Sequence, residues 1–195
     1  MSLIKPYNSE VLFSGPPANY TAAAAASVTA QSLVTGSTGN YQQPMFPGGF
    51  WLEGRTDQLV SFEFSCIMTG QASATTATFI AGLAAGGQAG SGGSALLTYP
   101  ALTITSYSAG TIYGTGIIQC RGAGYGTSAV STSFLSSGTI LGTGNALQVT
   151  GCAGPTALQS IDRTSNQWLY LTVTFSTSSA TNSCQLASLV VRGEN

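Results

Sequence analysis

The chain has no histidine and a single lysine, and its 5 Lys+Arg against 6 Asp+Glu leave a formal net charge of -1 over 195 residues. Without an imidazole, neither a Ser-His-Asp triad nor a Cys-His pair can assemble, because both use it as the general base. The lone Lys5 lies in a proline-bearing N-terminal segment, which gives poor support to Ser-Lys catalysis or to a Schiff-base lysine. Clustered Lys and Arg are missing as well. Binding to a phosphate backbone needs such clusters to release counterions, so nucleic acid is not expected as a partner. Charged residues are 6% of the chain, far below the roughly 25% of an ordinary soluble domain. With 43% hydrophobic residues, the scarcity of charge does not indicate disorder, which pairs low hydrophobicity with high net charge.

Long apolar runs are also absent. Residues 22–26 and 77–85 come nearest and fall well short of the ~18 residues of a spanning helix, so no membrane partner is expected. The N-terminus carries no apolar core followed by a small-residue cleavage site. The expectation is a chain made in a cytoplasm. Cys66, Cys120, Cys152 and Cys184 show no CxxC spacing, and no histidine completes a ligand set. Neither a metal nor any other cofactor is expected, and the default is free thiols.

What fills the chain instead is small and hydroxylated: Gly, Ser and Thr number 25 each, or 75 of 195 positions. A near-neutral surface of hydroxyls gives a free domain little charge to keep copies apart. The composition therefore points to a surface that lies largely against other subunits.

Residues 1–20 combine Pro6, Pro16 and Pro17 with the apolar Leu3, Ile4, Tyr7, Val11, Leu12 and Phe13. Prolines fix φ and exclude helix interiors, so residues 1–24 read as an extended arm, which either folds back on the body or reaches a neighbour. Thr21 is positioned to cap a short helix over residues 22–26; against that helix, Val28, Thr29 and Val34 fit a strand, and residues 25–35 are read as one. From residue 25 to 195 the chain reads as a single β domain. Val60, Phe62, Phe64, Cys66 and Met68 alternate with Ser61, Glu63 and Ser65, as in a strand with one buried face. Ala77, Phe79, Ala81 and Leu83 repeat the pattern. Later runs cover 95–105, 111–121, 128–135, 139–141, 146–151, 167–176 and 184–192, separated by Gly/Ser/Thr turns. Leu169, Leu171, Val173 and Phe175 are expected to face inward, with Tyr170, Thr172 and Thr174 outward. Strict alternation sets Leu186, Ser188 and Val190 against Gln185, Ala187, Leu189 and Val191. About eight strands at this spacing predict an all-β, jelly-roll-like antiparallel β-sandwich.

Little catalytic chemistry is left. Glu53, Asp57 and Glu63 lie within eleven residues, but two of them sit in a polar turn where Arg55 can pair with an acid, and Glu63 takes the outward phase of its strand. Gly114-Thr115-Gly116 and Gly122-Ala123-Gly124-Tyr125-Gly126 open no helix and precede no Gly-Lys-Ser/Thr, so they read as turns or bulges rather than phosphate loops. No catalytic residue is assigned, and the chain is not expected to be an enzyme. Trp51 and Trp168 read as core or rim residues rather than sugar platforms. Tyr99, Tyr107, Tyr113 and Tyr125 cluster in the middle strands, and tyrosine favours interfaces. With the six apolar arm residues they form the candidate contact set.

The string Pro44-Met45-Phe46-Pro47-Gly48-Gly49-Phe50-Trp51-Leu52-Glu53-Gly54-Arg55, the strand Ala77-Thr78-Phe79-Ile80-Ala81-Gly82-Leu83, Asn166-Gln167-Trp168-Leu169 and the last hairpin resemble the jelly-roll decoration proteins of long-tailed bacteriophage heads, particularly those of actinobacteriophages. The resemblance spans residues 44–192. It implies a virion protein, commonly a homotrimer, that cements the capsid exterior by binding the major capsid protein lattice, and it implies no catalytic residue. The alternative from another class is a tail-associated module that binds the host surface or a carbohydrate.

Overall fold

The computed structural model describes residues 9–15, 23–24, 31–33, 44–47, 50, 59–69, 75–85, 94–104, 109–121, 131–143, 148–152, 159–162, 166–179 and 181–194. These are all-β: β1 (Ser9–Gly15), β2 (Ala23–Ala24), β3 (Gln31–Ser32), β4 (Met45–Phe46), β5 (Leu59–Thr69), β6 (Thr75–Ala85), β7 (Ser94–Thr98), β8 (Leu102–Ile104), β9 (Ala109–Arg121), β10 (Ser131–Thr143), β11 (Gln148–Cys152), β12 (Gln159–Asp162), β13 (Gln167–Phe175) and β14 (Ser183–Glu194). No helix occurs among the described residues, and none is long and apolar enough to cross a membrane.

Two antiparallel sheets form a sandwich. The larger runs β1-β14-β5-β9-β10-β11, with β2 beside β14 and β12 beside β10; the smaller runs β3-β13-β6-β7, with β4 beside β13 and β8 beside β6. β5 pairs with β14 and β6 with β13. Since the β5–β6 and β13–β14 connections each pass from one sheet to the other, this paired ribbon folds over the core, a wrap of jelly-roll type. β7 and β8 bind opposite ends of β6, and between them Tyr99 donates its N–H to the Phe79 carbonyl at 2.9 Å. The two are one edge strand bent at Tyr99-Pro100, where proline has no N–H to give.

The pattern in β5 is the expected one: Val60, Phe62, Phe64, Cys66 and Met68 are buried, while Glu63 and Ile67 are exposed. On β6, Ala77, Phe79, Ala81 and Leu83, which alternation sets on one face, are buried, and from Ala81 to Ala84 the strand is buried on both faces. Their rings meet across the sandwich, Phe64 lying 5.8 Å from Phe79 and 5.7 Å, edge-on, from Tyr99. Cys66 and Cys184 are free thiols in this core.

Several expectations change. Ala23–Ala24 is a strand on β14, not part of a helix. β1 pairs with Leu189–Glu194 and β2 with Ser183–Cys184, both on the edge of β14 away from β5. Of the two courses open to the arm, Ser9–Gly15 takes the fold back onto the body. The runs at 128–135 and 139–141 merge into the continuous β10, because Ser136, Ser137 and Gly138 stay paired with β9. β14 does not alternate strictly. A bulge between Leu186 and Ser188 inserts one residue, so Cys184, Leu186, Leu189 and Val191 are all buried, and the phase flips as a bulge requires. Tyr170 and Thr172, expected to face water, are 4% and 3% exposed, so this part of β13 is buried on both faces.

Gly114-Thr115-Gly116 is no turn. It lies in mid-β9, where Gly116 pairs with Phe62 and Gly114 with Phe64. A Cβ on Gly114 would stand 2.1 Å from the Phe64 ring, and one on Gly116 would stand 2.2 Å from the Phe62 ring. The glycines leave the two rings the space to pack against β9. This is close approach between backbone and side chain, the use of glycine inside a strand.

Candidate interaction face

The positions that alternate with the core residues of β5, β9 and β14 build the outer face of the larger sheet. Register aligns them in rows across the strands: Val11, Arg192, Ser61 and Ile117; then Val190, Glu63 and Thr115; then Ser188, Ser65 and Tyr113; then Gln185, Ile67 and Thr111. The large hydrophobic side chains exposed among the described residues are Val11 (56%), Met45 (47%), Ile67 (49%), Tyr113 (51%) and Ile117 (43%). All but Met45 lie on this one face.

The polar groups between them pair within the face. Arg192 Nη1 donates to Glu63 Oε1 at 2.9 Å, diagonally across β14 and β5. Ser65 and Ser188 share a hydroxyl hydrogen bond of 2.6 Å beside the bulge. From beneath, the Tyr99 hydroxyl donates to the Thr115 carbonyl at 3.0 Å, tying β9 to the opposite sheet. Among the described residues, the paired hydroxyls and the Glu63–Arg192 ion pair leave a surface of low charge with aliphatic and aromatic side chains standing on it. Burial of that surface is the physical gain it offers.

The predicted contact residues fall in four groups. Val11 and Tyr113 stand exposed on this face. Tyr99 is 0% exposed; its ring packs on Phe64 and its hydroxyl bonds Thr115, so the structure makes it a core residue and not a surface contact. Leu12 and Phe13 lie in β1, and Leu3, Ile4, Tyr7, Tyr107 and Tyr125 lie outside the described residues, as do Trp51, Glu53, Arg55, Asp57 and the 122–126 glycine run. Ile67 and Ile117 belong to the face and were not singled out from sequence, although their outward phase in β5 and β9 was the available signal. Trp168 is half-buried.

Elsewhere the described residues hold no cluster of three or more His, Cys, Asp or Glu able to bind a metal. Burial, with a hydrogen bond to the Cys184 thiol, holds the Cys66 thiol well above its ordinary range. Burial pushes the Tyr170 phenol up to about 12. Neither is poised for chemistry near neutral pH, since thiolate and phenolate are the reactive forms.

The described residues thus define an antiparallel β-sandwich with one apolar, weakly charged sheet face. No protein-family model matches the chain, and no curated protein matches it. Among solved structures it is similar to the CBM2 module of the evolved Dit of Lactobacillus casei BL23 phage J-1, with 11% identity over 97% of each chain and a TM-score of 0.36. The fold described above rests on the strand pairing.

Proposed function

We propose that this chain is a non-catalytic structural module of a bacteriophage particle, and that it acts by packing against other protein on the outside of the major capsid lattice. The observation that carries the reading is the gathering of Val11, Ile67, Tyr113 and Ile117 on one sheet face of a chain with so few charges. A face of this kind gains by being covered, and repetition over a symmetric shell multiplies modest contacts by avidity. The phage-head resemblance of residues 44–192 supports the location.

A tail-borne module that binds the host surface or a carbohydrate is the second reading. The solved structure named above belongs by its title to a phage Dit and is called a CBM2 module. On the face itself Tyr113 is the aromatic ring exposed among the described residues, and a sugar-stacking surface gains from each further ring placed beside it.

Counting and locating the chain on purified particles by labelled electron microscopy tests the proposal. Many copies over the head, retained in molar salt because apolar contacts are not screened, are the expected result. A few copies confined to the tail tip would establish the second reading, and absence from particles would overturn both.

A further inference from the structure

We infer that the outer face of the larger sheet docks a second copy of this chain, face to face about a two-fold axis that passes beside Glu63 and Arg192. The inference deepens the packing role proposed above and rests on it.

Size is the first support. The four strands that carry the described face, β1-β14-β5-β9, span about 14 Å at about 4.8 Å spacing, and the eleven residues of β5 at about 3.4 Å each span about 37 Å. The face therefore offers on the order of 500 Å² per copy, or about 1,000 Å² between two copies, the lower bound of a specific interface.

Charge is the second and chooses the occupant. Glu63 lies mid-way along β5 and Arg192 on the adjacent β14, third and second of the four strands, so the ion pair sits near the centre of the face. A two-fold contact is isologous, each patch meeting its own copy. Rotation about an axis in the plane of the contact that crosses the Glu63–Arg192 pair at right angles sets Glu63 of each copy against Arg192 of the other, and four charges close into a neutral cluster. The surrounding apolar side chains, Ile117 and Tyr113 on one flank and Val11 on the other, meet the opposing sheet. Among the described side chains of the face, a partner of strong net charge finds nothing to match it. A copy of the same face matches it completely. This two-fold pairing differs from the trimer that the phage-head resemblance implies.

The test is a mixing experiment with the full chain, read by light scattering on a sizing column, with circular dichroism to confirm that each variant is folded. The wild type should be a dimer. Glu63→Arg places four positive charges at the axis and Arg192→Glu four negative ones, and each variant alone should associate about 100-fold more weakly or worse. Mixing the two should restore a dimer containing one of each, because the cluster is then neutral again. An ion pair that acts only within one chain would stay broken in both variants and gain nothing from mixing. Ile117→Lys should also yield a folded monomer. A wild-type monomer or trimer, or a dimer unaffected by both reversals, would overturn the two-fold contact. These outcomes are separable from the particle role: a dimer absent from particles would sink that role alone, whereas a particle-bound monomer would sink this contact alone.

Discussion

Gly114→Ala adds one methyl group directly against the Phe64 ring in the core. Its carbon would meet three atoms of the Phe64 ring at 2.1, 2.2 and 2.8 Å, where a comfortable carbon contact is about 3.5–4.0 Å. The ring has nowhere to go. Phe64 is 2% exposed, with Phe79 at 5.8 Å and Tyr99 at 5.7 Å beside it. Overpacking of this kind costs about 1–3 kcal/mol. Replacing glycine in a strand returns up to about 1 kcal/mol through backbone entropy, so a net loss of about 1–2 kcal/mol is expected. At about 2–4 °C per kcal/mol for a chain of this size, Tm should fall by several degrees. The sharper measurement is a double-mutant cycle by urea denaturation. Phe64→Ala alone should cost about 3–5 kcal/mol. In that background Gly114→Ala should cost nothing or stabilise, because the ring it strikes is gone, and the coupling should fall within the 0.5–3 kcal/mol seen for touching residues, about 1–3 here. Equal cost of Gly114→Ala in both backgrounds, or none in the wild type, would refute the claim that this glycine exists to seat the ring.

Three further outcomes follow from the same core. Tyr99→Phe keeps the ring but removes the hydroxyl bond to the Thr115 carbonyl, and should lower stability by about 1–2 kcal/mol with no change in sheet content by circular dichroism; a neutral variant would show that the bond does not tie the sheets. Stability should be full below about pH 8.5 and fall above it, because Cys66 and Tyr170 stay protonated in the fold while the unfolded chain ionises at ordinary thiol and phenol values. Tyr170→Phe should remove the part of that loss between pH 10, the ordinary phenol value, and about 12, so a denaturation profile the variant leaves unaltered would contradict the buried phenol. Cys66 and Cys184 should resist alkylation until the chain unfolds. Both are fully buried with their thiols hydrogen-bonded to each other, so reagent and oxidant reach neither in the folded chain. A mass loss at this pair on mild oxidation of the folded protein would contradict that placement.

Much of the core was legible in the residues. β5 along its length and β6 as far as Ile80 alternate on a period of two, and burial of every second side chain is what such alternation means; from Ala81 to Ala84 both faces of β6 are buried. Where the pattern misled, a neighbour was responsible. Ser136, Ser137 and Gly138 look like a break, yet β9 pairs with each of them. Leu186 to Val191 alternates on paper, but the bulge shifts the phase by one residue. Tyr170 and Thr172 take the outward phase of β13, and they are buried all the same. Tyr99 carries the composition of an interface residue, and only the packing of Phe64 and the reach to Thr115 make it core. The interaction face was half visible: Glu63 and Ser65 were read as outward, while the partner of Glu63 lies 129 residues away, a distance at which no local pattern reports.

By itself the sequence determined what this chain cannot do and what it is made of. A chain without histidine has no imidazole chemistry wherever it folds, and alternation of Phe, Val and Ser in short runs requires sheets, because those are properties of residues and near neighbours. Tertiary structure alone decided which outward positions share a surface. Val11, Ile67, Tyr113, Ile117 and Arg192 come from four strands spread over the whole length, and only the order β1-β14-β5-β9 sets them side by side. Strand order depends on long-range pairing, and a surface is a property of that order.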